Sequence, residues 1–264
     1  MLQFFEWFWN AIGLYEKLGI AKEIVVDGTT LQVSFQGFMN WLHGDLLEKG
    51  ESLSAALIFS AGILICTIIP YLLGSLNAAI IVSKYKYHDD IRKYGSGNAG
   101  MTNMGRVFGK QGALLTLVGD MLKQFVAVII GIIACGELGA YFAGVFCMLG
   151  HIAPVFYHFR GGKGVLTAAT MILMIDWQVF LVAGSIFALT VLITRYVSLG
   201  SILAGFSLPA IVYVSATMRG TYPSLPALCF SLFIGMLLIF MHRSNIRRLF
   251  NGNENKVSFG KKKK

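Results

Sequence analysis

Long apolar runs separated by short polar segments dominate this chain. One run lies between Glu51 and Lys84, and two more lie on either side of Glu137. The remaining runs cover 164–175, 177–194, 196–218 and 220–242. About 20 apolar residues in an α-helix span the hydrocarbon core of a bilayer. The pattern therefore predicts an all-α integral membrane protein.

The number of crossings depends on the run 164–175, which is short for a span, and on the polar residue that follows it, Asp176. If a turn at Asp176–Trp177 separates this run from the next, the chain crosses the membrane seven times. Most of the 22 Lys and Arg residues then fall on one side, together with the basic C-terminal tail. Basic loops of membrane proteins face the cytoplasm. The sequence thus predicts seven transmembrane helices, an external N-terminus and a cytoplasmic C-terminus.

Composition divides the chain into three parts. Residues 1–50 form an N-terminal extracytoplasmic or interfacial extension, 51–250 a seven-helix membrane domain and 251–264 a basic cytoplasmic tail. The extension starts with MLQFFEWFWNAIGLY, whose aromatic and amphipathic pattern favours a helix in the membrane interface. The Asp27–Gly28 pair between β-prone runs predicts a hairpin, and FMNWLHGDLLEKG predicts a second interfacial helix.

Two of the apolar runs contain residues that disturb a simple span. In the first run, Pro70, Gly74 and Asn77 predict a kink. In the second run, Asp120 and Lys123 are three positions apart and so share a helical face. Charges at membrane depth are usually functional, but an ion pair that closes on itself is an equally weighted alternative.

Composition limits the classes of function. Charged residues make up 13% of the chain and hydrophobic residues 56%, with a mean hydropathy of +0.68. A soluble domain is about 25% charged, so a large soluble domain is excluded. The net charge of +9 suggests membrane orientation and contact with anionic membrane lipid, and no nucleic-acid module is recognisable. The cysteines have neither metal-ligand nor disulfide spacing and are expected to be small buried hydrophobic residues: Cys66, Cys135, Cys147 and Cys229.

The segment from Arg92 to Lys110 is rich in glycine and basic residues and contains no Asp or Glu. Its interleaved polar and basic residues include Ser96, Asn98, Thr102, Asn103 and Arg106. Glycine lets backbone N–H groups approach a ligand, and nearby Arg and Lys supply positive charge. The segment therefore predicts a phosphate-binding loop at the membrane surface.

Three other basic segments with Gly, Ser or Asn lie on the same predicted side, at 150–164, 195–201 and 242–248. Each alone fits an ordinary solvated loop, but the four together carry no carboxylate, which favours one shared anionic site. Neither 161–164 nor 105–111 has the spacing of a nucleotide P-loop. The sequence also lacks a nucleophile elbow, a suitable nucleophilic Cys and a metal-ligand cluster. This pattern favours transfer between two bound anions, with catalysis by positioning and charge stabilisation.

Four motifs resemble those of the bacterial acyl-phosphate-dependent glycerol-3-phosphate acyltransferases (the PlsY family), in this order: GSGNAGMTN, GGKGV, RYVSLGSI and HRSNI. The resemblance extends over about 57–250. It implies seven transmembrane helices in the bacterial cytoplasmic (inner) membrane and an active site that faces the cytoplasm. It also implies that a fatty acyl group passes from acyl phosphate to the sn-1 hydroxyl of glycerol-3-phosphate without a cofactor. The products would be phosphate and lysophosphatidate, in the first step of phospholipid synthesis.

The resemblance also implies roles for individual residues. The catalytic residues would be Ser96, Arg106, Lys163, His242 and Asn245. The substrate-binding residues would be Asn98, Thr102, Asn103, His151, Gly161, Gly162, Gly164, Ser198 and Ser201. Backbone N–H groups of the glycines in 160–164 would cradle the acyl phosphate. The hydroxyl proton could pass to His151, to His242 or to a substrate phosphate, which the resemblance favours; His151 could instead be a packed helix-terminal residue.

The sequence departs from the family in three places. Ala99 stands where Pro is common, Gln124 stands where Gly is usual, and 1–50 has no counterpart. The alternative function is a membrane transporter of an anionic phosphorylated solute, which would use deep charges such as Asp120 and Lys123. A structural scaffold that holds anionic lipid on its basic face is the third hypothesis.

Overall fold

The structure is a computed structural model that describes residues 23–26, 29–32 and 37–257. Its strands are β1 Glu23–Val26 and β2 Thr29–Gln32. Its helices are α1 Phe38–Glu48, α2 Ser52–Ser75, α3 Ala78–Tyr87, α4 Met101–Ile152, α5 Val165–Ile175, α6 Trp177–Thr194, α7 Val197–Met218, α8 Leu225–Met241 and α9 Arg243–Phe250. The chain divides into two compact units between Gly162 and Lys163, and each unit is described by itself.

Two of the elements predicted for the N-terminal extension are present in its described residues. Strands β1 and β2 pair antiparallel, with Val26 opposite Thr29, so they form the hairpin expected around Asp27–Gly28. Helix α1 is the expected second short helix. The aromatic segment at 1–15 and the lysines at 261–264 lie outside the described residues.

In the part of the chain that the structure describes, four helical segments are long and apolar enough to cross a membrane: Ser52–Tyr87, Met101–Tyr157, Trp177–Thr194 and Val197–Met218. A fifth is present if the bent pair of α8 and α9 counts as one span. Helix α5 is apolar but shorter. The chain is therefore a helical, multi-pass membrane protein.

Helix α4 is a helical hairpin and not a straight rod. Cys135 and Gly136 have non-helical backbone angles. A Cβ at Gly131 would overlap the carbonyl oxygen of Gly139, and Nε2 of Gln124 donates to the carbonyl oxygen of Gly144 at 3.0 Å. The two arms, 101–134 and 137–152, thus lie side by side and correspond to the apolar runs on either side of Glu137.

The predicted break in the first span lies between α2 and α3. Pro70 remains inside α2, and the chain leaves the helix only after Ser75. Asn77 then caps α3, because its Oδ1 accepts a hydrogen bond from the N–H of Ile80 at 3.1 Å. The break therefore forms where Asn supplies a new helix start, and not at the proline.

Small residues let the elements of the first unit approach closely. A Cβ at Gly150 would overlap the carbonyl oxygen of Tyr71, so α2 and the second arm of α4 are nearly in backbone contact. Gly37, just before α1, lies against Cys135 and Gly136, so the extension covers the turn of α4. Three of the cysteines are buried as expected, whereas Cys229 is exposed, which corrects the expectation for that residue.

The second unit contains α5 to α9. Asp176 separates α5 from α6, because its Oδ1 accepts hydrogen bonds from the N–H groups of Gln178 (3.0 Å) and Val179 (3.2 Å). Arg219 forms an ion pair with Asp176 at 2.9 Å. The turn expected at Asp176–Trp177 is therefore present.

Candidate active site

The glycine-rich loop of the first unit is organised by one buried side chain, Asn103. Its Oδ1 accepts a hydrogen bond from the N–H of Ser96 at 2.9 Å. Its Nδ2 donates to the carbonyl oxygens of Tyr94 (3.0 Å) and Asn98 (3.1 Å). Only 2% of Asn103 is exposed, so these contacts fix the loop from the first turn of α4. A direct contact of Asn103 with substrate stays a prediction.

A second set of contacts joins this loop to the segment after α4. The guanidinium of Arg92 pairs with Asp90 at 2.7 Å and donates to the carbonyl oxygen of Tyr157 at 2.9 Å. Hydrogen bonds from Arg92 lower the pKa of the Asp90 carboxyl below its usual value, although partial burial opposes this shift. The N–H of Ala99 donates to the carbonyl oxygen of Gly161 at 3.4 Å. The two loops therefore form one polar end of the first unit.

Gly161 and Gly162 run back along the end of α4. Their N–H groups donate to the carbonyl oxygens of Ile152 and His151, both at 3.0 Å. These N–H groups donate within the fold in this structure, and their contact with the acyl phosphate stays a prediction. Gly162 is required for another reason. A Cβ at this position would overlap Nε2 of His151 and lie 2.8 Å from the carbonyl oxygen of Ala99.

His151 belongs to a buried network with the two deep charges of α4. Its Nδ1 lies 3.3 Å from Oδ1 of Asp120 and 3.1 Å from Nζ of Lys123. Lys123 Nζ also contacts Asp120 Oδ1 (2.8 Å) and donates to the carbonyl oxygens of Gly74 (2.9 Å) and Leu76 (3.1 Å). These three acceptors use the three ammonium protons, so we assign Nδ1 of His151 as a donor to Asp120. Nε2 of a neutral His151 then carries the lone pair.

This network accounts for charge at membrane depth. The carbonyl groups of Gly74 and Leu76 lose their helical partners where α2 ends, and Lys123 satisfies them. The side chains of Asp120 and Lys123 are only 2% and 7% exposed. Both charges are paired inside the first unit, as the hypothesis of a self-contained ion pair predicts, so they give no support to a solute pathway.

Several predicted site residues at this polar end are accessible. Ser96 and Arg106 are exposed, and Asn98 and Thr102 are half-buried. Within the part of the chain that the structure describes, the guanidinium of Arg106 forms no hydrogen bond or ion pair. A guanidinium beside a glycine-rich loop can bind a phosphate group through paired hydrogen bonds.

The second unit opens with Lys163, which reaches a residue 82 positions later in the chain. Its Nζ donates to Oδ1 of Asn245, in the first turn of α9. Asn245 is 5% exposed. Gly164 follows with a φ of +80°, which favours glycine, and α5 begins at the next residue. The structure thus brings together two predicted catalytic residues from separate motifs.

Three more predicted site residues of this unit are buried. Ser198 and Ser201 are three apart near the start of α7 and share a helical face, and Ser201 Oγ donates to the carbonyl oxygen of Val197 at 3.0 Å. Nδ1 of His242 lies 2.7 Å from the carbonyl oxygen of Leu238. A carbonyl oxygen only accepts, so Nδ1 carries the proton. Nε2 of the neutral ring therefore has the lone pair that a proton acceptor needs.

Glu254, in the tail after α9, is a site neighbour that sequence reasoning missed. Its carboxylate accepts hydrogen bonds from Ser198 Oγ (2.9 Å), Asn245 Nδ2 (2.7 Å) and Arg248 Nε (2.7 Å). Its side chain is 5% exposed. Partial burial raises the pKa of this carboxyl, but the three hydrogen bonds outweigh burial and hold the pKa below its usual value. No sequence signal could indicate these contacts, because they join residues from three separate segments.

The chemistry of both groups of residues suits anions. Among the described residues, no group of three or more His, Cys, Asp or Glu is placed to hold a metal ion. Amide, hydroxyl, ammonium and guanidinium donors instead provide hydrogen bonds and positive charge. Such donors bind phosphate and stabilise developing negative charge. The prediction that the residues of the two units serve one site stays a prediction.

Comparison with known proteins identifies the family. A family model described as glycerol-3-phosphate acyltransferase matches residues 64–252. This chain belongs to the glycerol-3-phosphate acyltransferase family. The glycerol-3-phosphate acyltransferase of Thermoanaerobacter sp. (strain X514) is 42% identical over 190 residues, which cover 72% of this chain and 93% of that protein. Glycerol-3-phosphate acyltransferase 2 of Bacillus anthracis is 39% identical over 190 residues, which cover 72% and 96%.

Two solved structures are similar to this acyltransferase. The crystal structure of PlsY (YgiH), an integral membrane glycerol 3-phosphate acyltransferase, in its glycerol 3-phosphate form matches with a TM-score of 0.68 and 36% identity. The match covers 74% of this chain and 96% of that one. The lysphosphatidic acid form matches with a TM-score of 0.66 and 35% identity, covering 74% and 95%. The family match of this acyltransferase excludes β1, β2 and α1 and ends two residues before Glu254.

Proposed function

We propose that this membrane acyltransferase moves a fatty acyl group from an acyl phosphate to the sn-1 hydroxyl of glycerol-3-phosphate. The products are lysophosphatidate and phosphate. The contact between Lys163 and Asn245 carries the proposal, because it joins two motifs that both lie within the family match. An ammonium held by an amide oxygen keeps its charge and has a defined position, which suits it to bind a phosphate oxygen.

The roles of the other residues follow from their chemistry. Arg106 and Lys163 neutralise phosphate charge. Ser96 and Ser201 orient the acceptor through their hydroxyl groups. Gly164 keeps the chain after Lys163 in its left-handed turn, since its φ is +80°. Secondary substrate contacts come from Asn98, Thr102 and Ser198.

The transfer needs no enzyme nucleophile, because an acyl phosphate is already activated. The acceptor hydroxyl oxygen attacks the acyl carbonyl carbon and forms the new ester bond. The bond between that carbon and the phosphate oxygen breaks, and the phosphate leaves with the electron pair. A substrate phosphate oxygen takes the hydroxyl proton. His242 is the alternative acceptor, because its Nδ1 is engaged with Leu238 and its Nε2 carries the lone pair.

The same proposal includes the membrane topology. The turn at Cys135–Gly136 divides α4 into two arms, and the cap at Asp176 separates α5 from α6. One crossing each for α2 with α3, for the two arms of α4, and for α5, α6, α7 and α8 supports a total of seven. The distribution of Lys and Arg then supports an external N-terminus and a catalytic face in the cytoplasm, and membership of the family supports the bacterial inner membrane.

The test uses purified protein in detergent with palmitoyl phosphate and glycerol-3-phosphate. Phosphate release and lysophosphatidate are measured together. We expect product only when both substrates are present, and a loss of about 100- to 1,000-fold in kcat for Lys163→Ala, as for other groups that stabilise transition-state charge. Lys49→Ala is the matched control, because Lys49 is exposed and, among the described residues, its ammonium pairs with Asp45 of α1.

A second variant separates a shaped site from general surface charge. Lys163→Arg keeps the charge but replaces a compact ammonium with a planar fork. An anion-binding scaffold would tolerate this change, whereas we expect the acyltransferase to lose most of its activity. Wild-type protein that is folded and monodisperse but makes no product would overturn the proposal. Solute flux in proteoliposomes would then test the transporter hypothesis.

A further inference from the structure

The tail after α9 packs against the residues just before α7, and these contacts lie within the second unit. The N–H of Val257 donates to the carbonyl oxygen of Arg195 at 2.8 Å. Nζ of Lys256 lies 5.3 Å from the centre of the Tyr196 ring. Between these contacts and α9, the carboxylate of Glu254 is buried among three donors. All of these residues lie within the second unit, and the tail residues lie beyond the part of the chain that the family model matches.

Glu254 determines which way the amide of Asn245 points. Nδ2 of Asn245 donates to Glu254, and Oδ1 of the same amide accepts from Lys163. Turning the amide by half a rotation would place its NH₂ group against the ammonium and its oxygen against the carboxylate. Both contacts would then be repulsive. The carboxylate and the ammonium therefore hold the amide in one orientation from opposite ends.

We propose that Glu254 is a positioning residue for acyl transfer: it fixes the Asn245 amide so that its oxygen holds the Lys163 ammonium in place. This inference rests on the proposed function, because it assigns Lys163 to the reaction. Arg248 supports the arrangement by pairing with the other carboxylate oxygen, and Ser198 ties it to the start of α7. Without Glu254, the amide is held from one end only, so its contact with the ammonium is less well fixed.

A competing explanation gives Glu254 the opposite effect on enzyme activity. Its carboxylate could occupy donors that an anionic substrate needs, and the tail would then inhibit the enzyme. The two explanations differ in the direction of the effect. A positioning residue lowers activity when it is removed, whereas an inhibitory carboxylate raises it.

The test measures kcat/KM with radiolabelled glycerol-3-phosphate, which keeps slow variants measurable. We expect Glu254→Ala to lower kcat/KM about tenfold or more, the size typical of a lost hydrogen bond to a charged group. Glu254→Gln keeps an oxygen that can accept from Asn245, so we expect it to stay within about threefold of wild type. Glu48→Gln is the control, because Glu48 is an exposed carboxylate at the end of α1.

A double-mutant cycle shows whether Glu254 acts through Asn245. We expect Glu254→Ala to have no further effect in an Asn245→Ala background, because the group on which it acts is already gone. A purely structural role of the tail would give independent losses that multiply. Multiplying losses, an unchanged Glu254→Ala variant or a more active one would each overturn the inference. Wild-type protein without activity would instead overturn the proposed function, so the two failures are distinguishable.

Discussion

Nε2 of His151 occupies the space that a side chain at Gly162 would need. The other side of the ring is held between Asp120 and Lys123, at 3.3 Å and 3.1 Å from Nδ1. A buried ion pair in α4 thus fixes the position of His151. The His151 ring in turn limits the space beside the backbone at Gly162. Lys163 is the next residue in the sequence. The packing of this helix end therefore fixes the backbone at the last residue of the first unit.

We expect Gly162→Ala to impair activity more than stability. The added methyl group would force His151 or the backbone of Ala99 to move, because both lie within its space. A displacement of about 1 Å at a catalytic group can cost about a hundredfold in rate, which is the loss in kcat that we expect. Gly44→Ala is the control, since a Cβ at Gly44 meets nothing within 4 Å. Unchanged kcat in Gly162→Ala would show that this close approach has no catalytic role.

The ion pair itself should matter chiefly for folding. Lys123→Met leaves the Asp120 carboxylate buried without its cation and leaves the carbonyl groups of Gly74 and Leu76 without a donor. Breaking a buried pair in this way costs about 3–5 kcal/mol. We therefore expect a clear fall in the unfolding temperature of the detergent-solubilised protein.

The double variant Asp120→Asn with Lys123→Met separates lost pairing from lost packing. It removes both charges, so we expect it to be more stable than Lys123→Met alone. If the loss of stability in the double variant equals the sum of the losses in the two single variants, the two residues do not act as a pair.

Much of the fold is predictable from local pattern. The pairing of β1 with β2, the short helix α1 and the break at Asp176 follow from turn and capping chemistry together with the positions of charges. The kink in the first span was expected at Pro70, Gly74 and Asn77, and of these three residues it is Asn77 that lies at the break. Asn77 creates the break by capping α3, whereas Pro70 is accommodated within α2. In an apolar helix, a single proline is therefore a weaker indicator of a break than a residue that caps the start of a new helix.

The candidate site is less predictable, because residue types do not show which donors the fold itself uses. Gly161 and Gly162 have the expected glycine pattern, yet their N–H groups bond to the end of α4. Asn103 has the expected polarity, yet its side-chain amide forms hydrogen bonds with the backbone of the loop. Glu254 gave no signal, because no local pattern shows that its carboxylate reaches Ser198, 56 positions earlier, together with Asn245 and Arg248. Such contacts depend on tertiary packing and have no local sequence pattern.

The docking of the tail should weaken as the solution becomes acidic. Hydrogen bonds to Glu254 hold its pKa below the usual value, so the ionised carboxylate stabilises the docked tail. This stabilisation is complete above the pKa of about 4.3 that a free glutamate has, and it is lost as the pH falls through the lower pKa of the docked state. The hydrogen-exchange protection factor of the Val257 amide reports docking, because this amide donates to Arg195.

We expect that protection factor to be constant between about pH 5 and pH 7 and to fall in more acidic solution. Glu254→Gln should lower it throughout and remove the acid transition. A transition near neutral pH, or one that persists in Glu254→Gln, would show that another group controls docking.

Two helical glycines, one in each unit, provide a matched test of the close packing between α2 and α4. A Cβ at Gly150 would overlap the carbonyl oxygen of Tyr71 and lie 2.9 Å from the N atom of Ser75, so Gly150→Ala pushes α4 away from α2. Overpacking of this kind costs about 1–3 kcal/mol. Gly184 in α6 has nothing within 4 Å of a built Cβ, so Gly184→Ala should gain about 0.5–1 kcal/mol from helix propensity alone. Unfolding of both variants in a denaturing-detergent titration gives the comparison. Equal shifts for both would mean that the contact between α2 and α4 is soft enough to accept a methyl group.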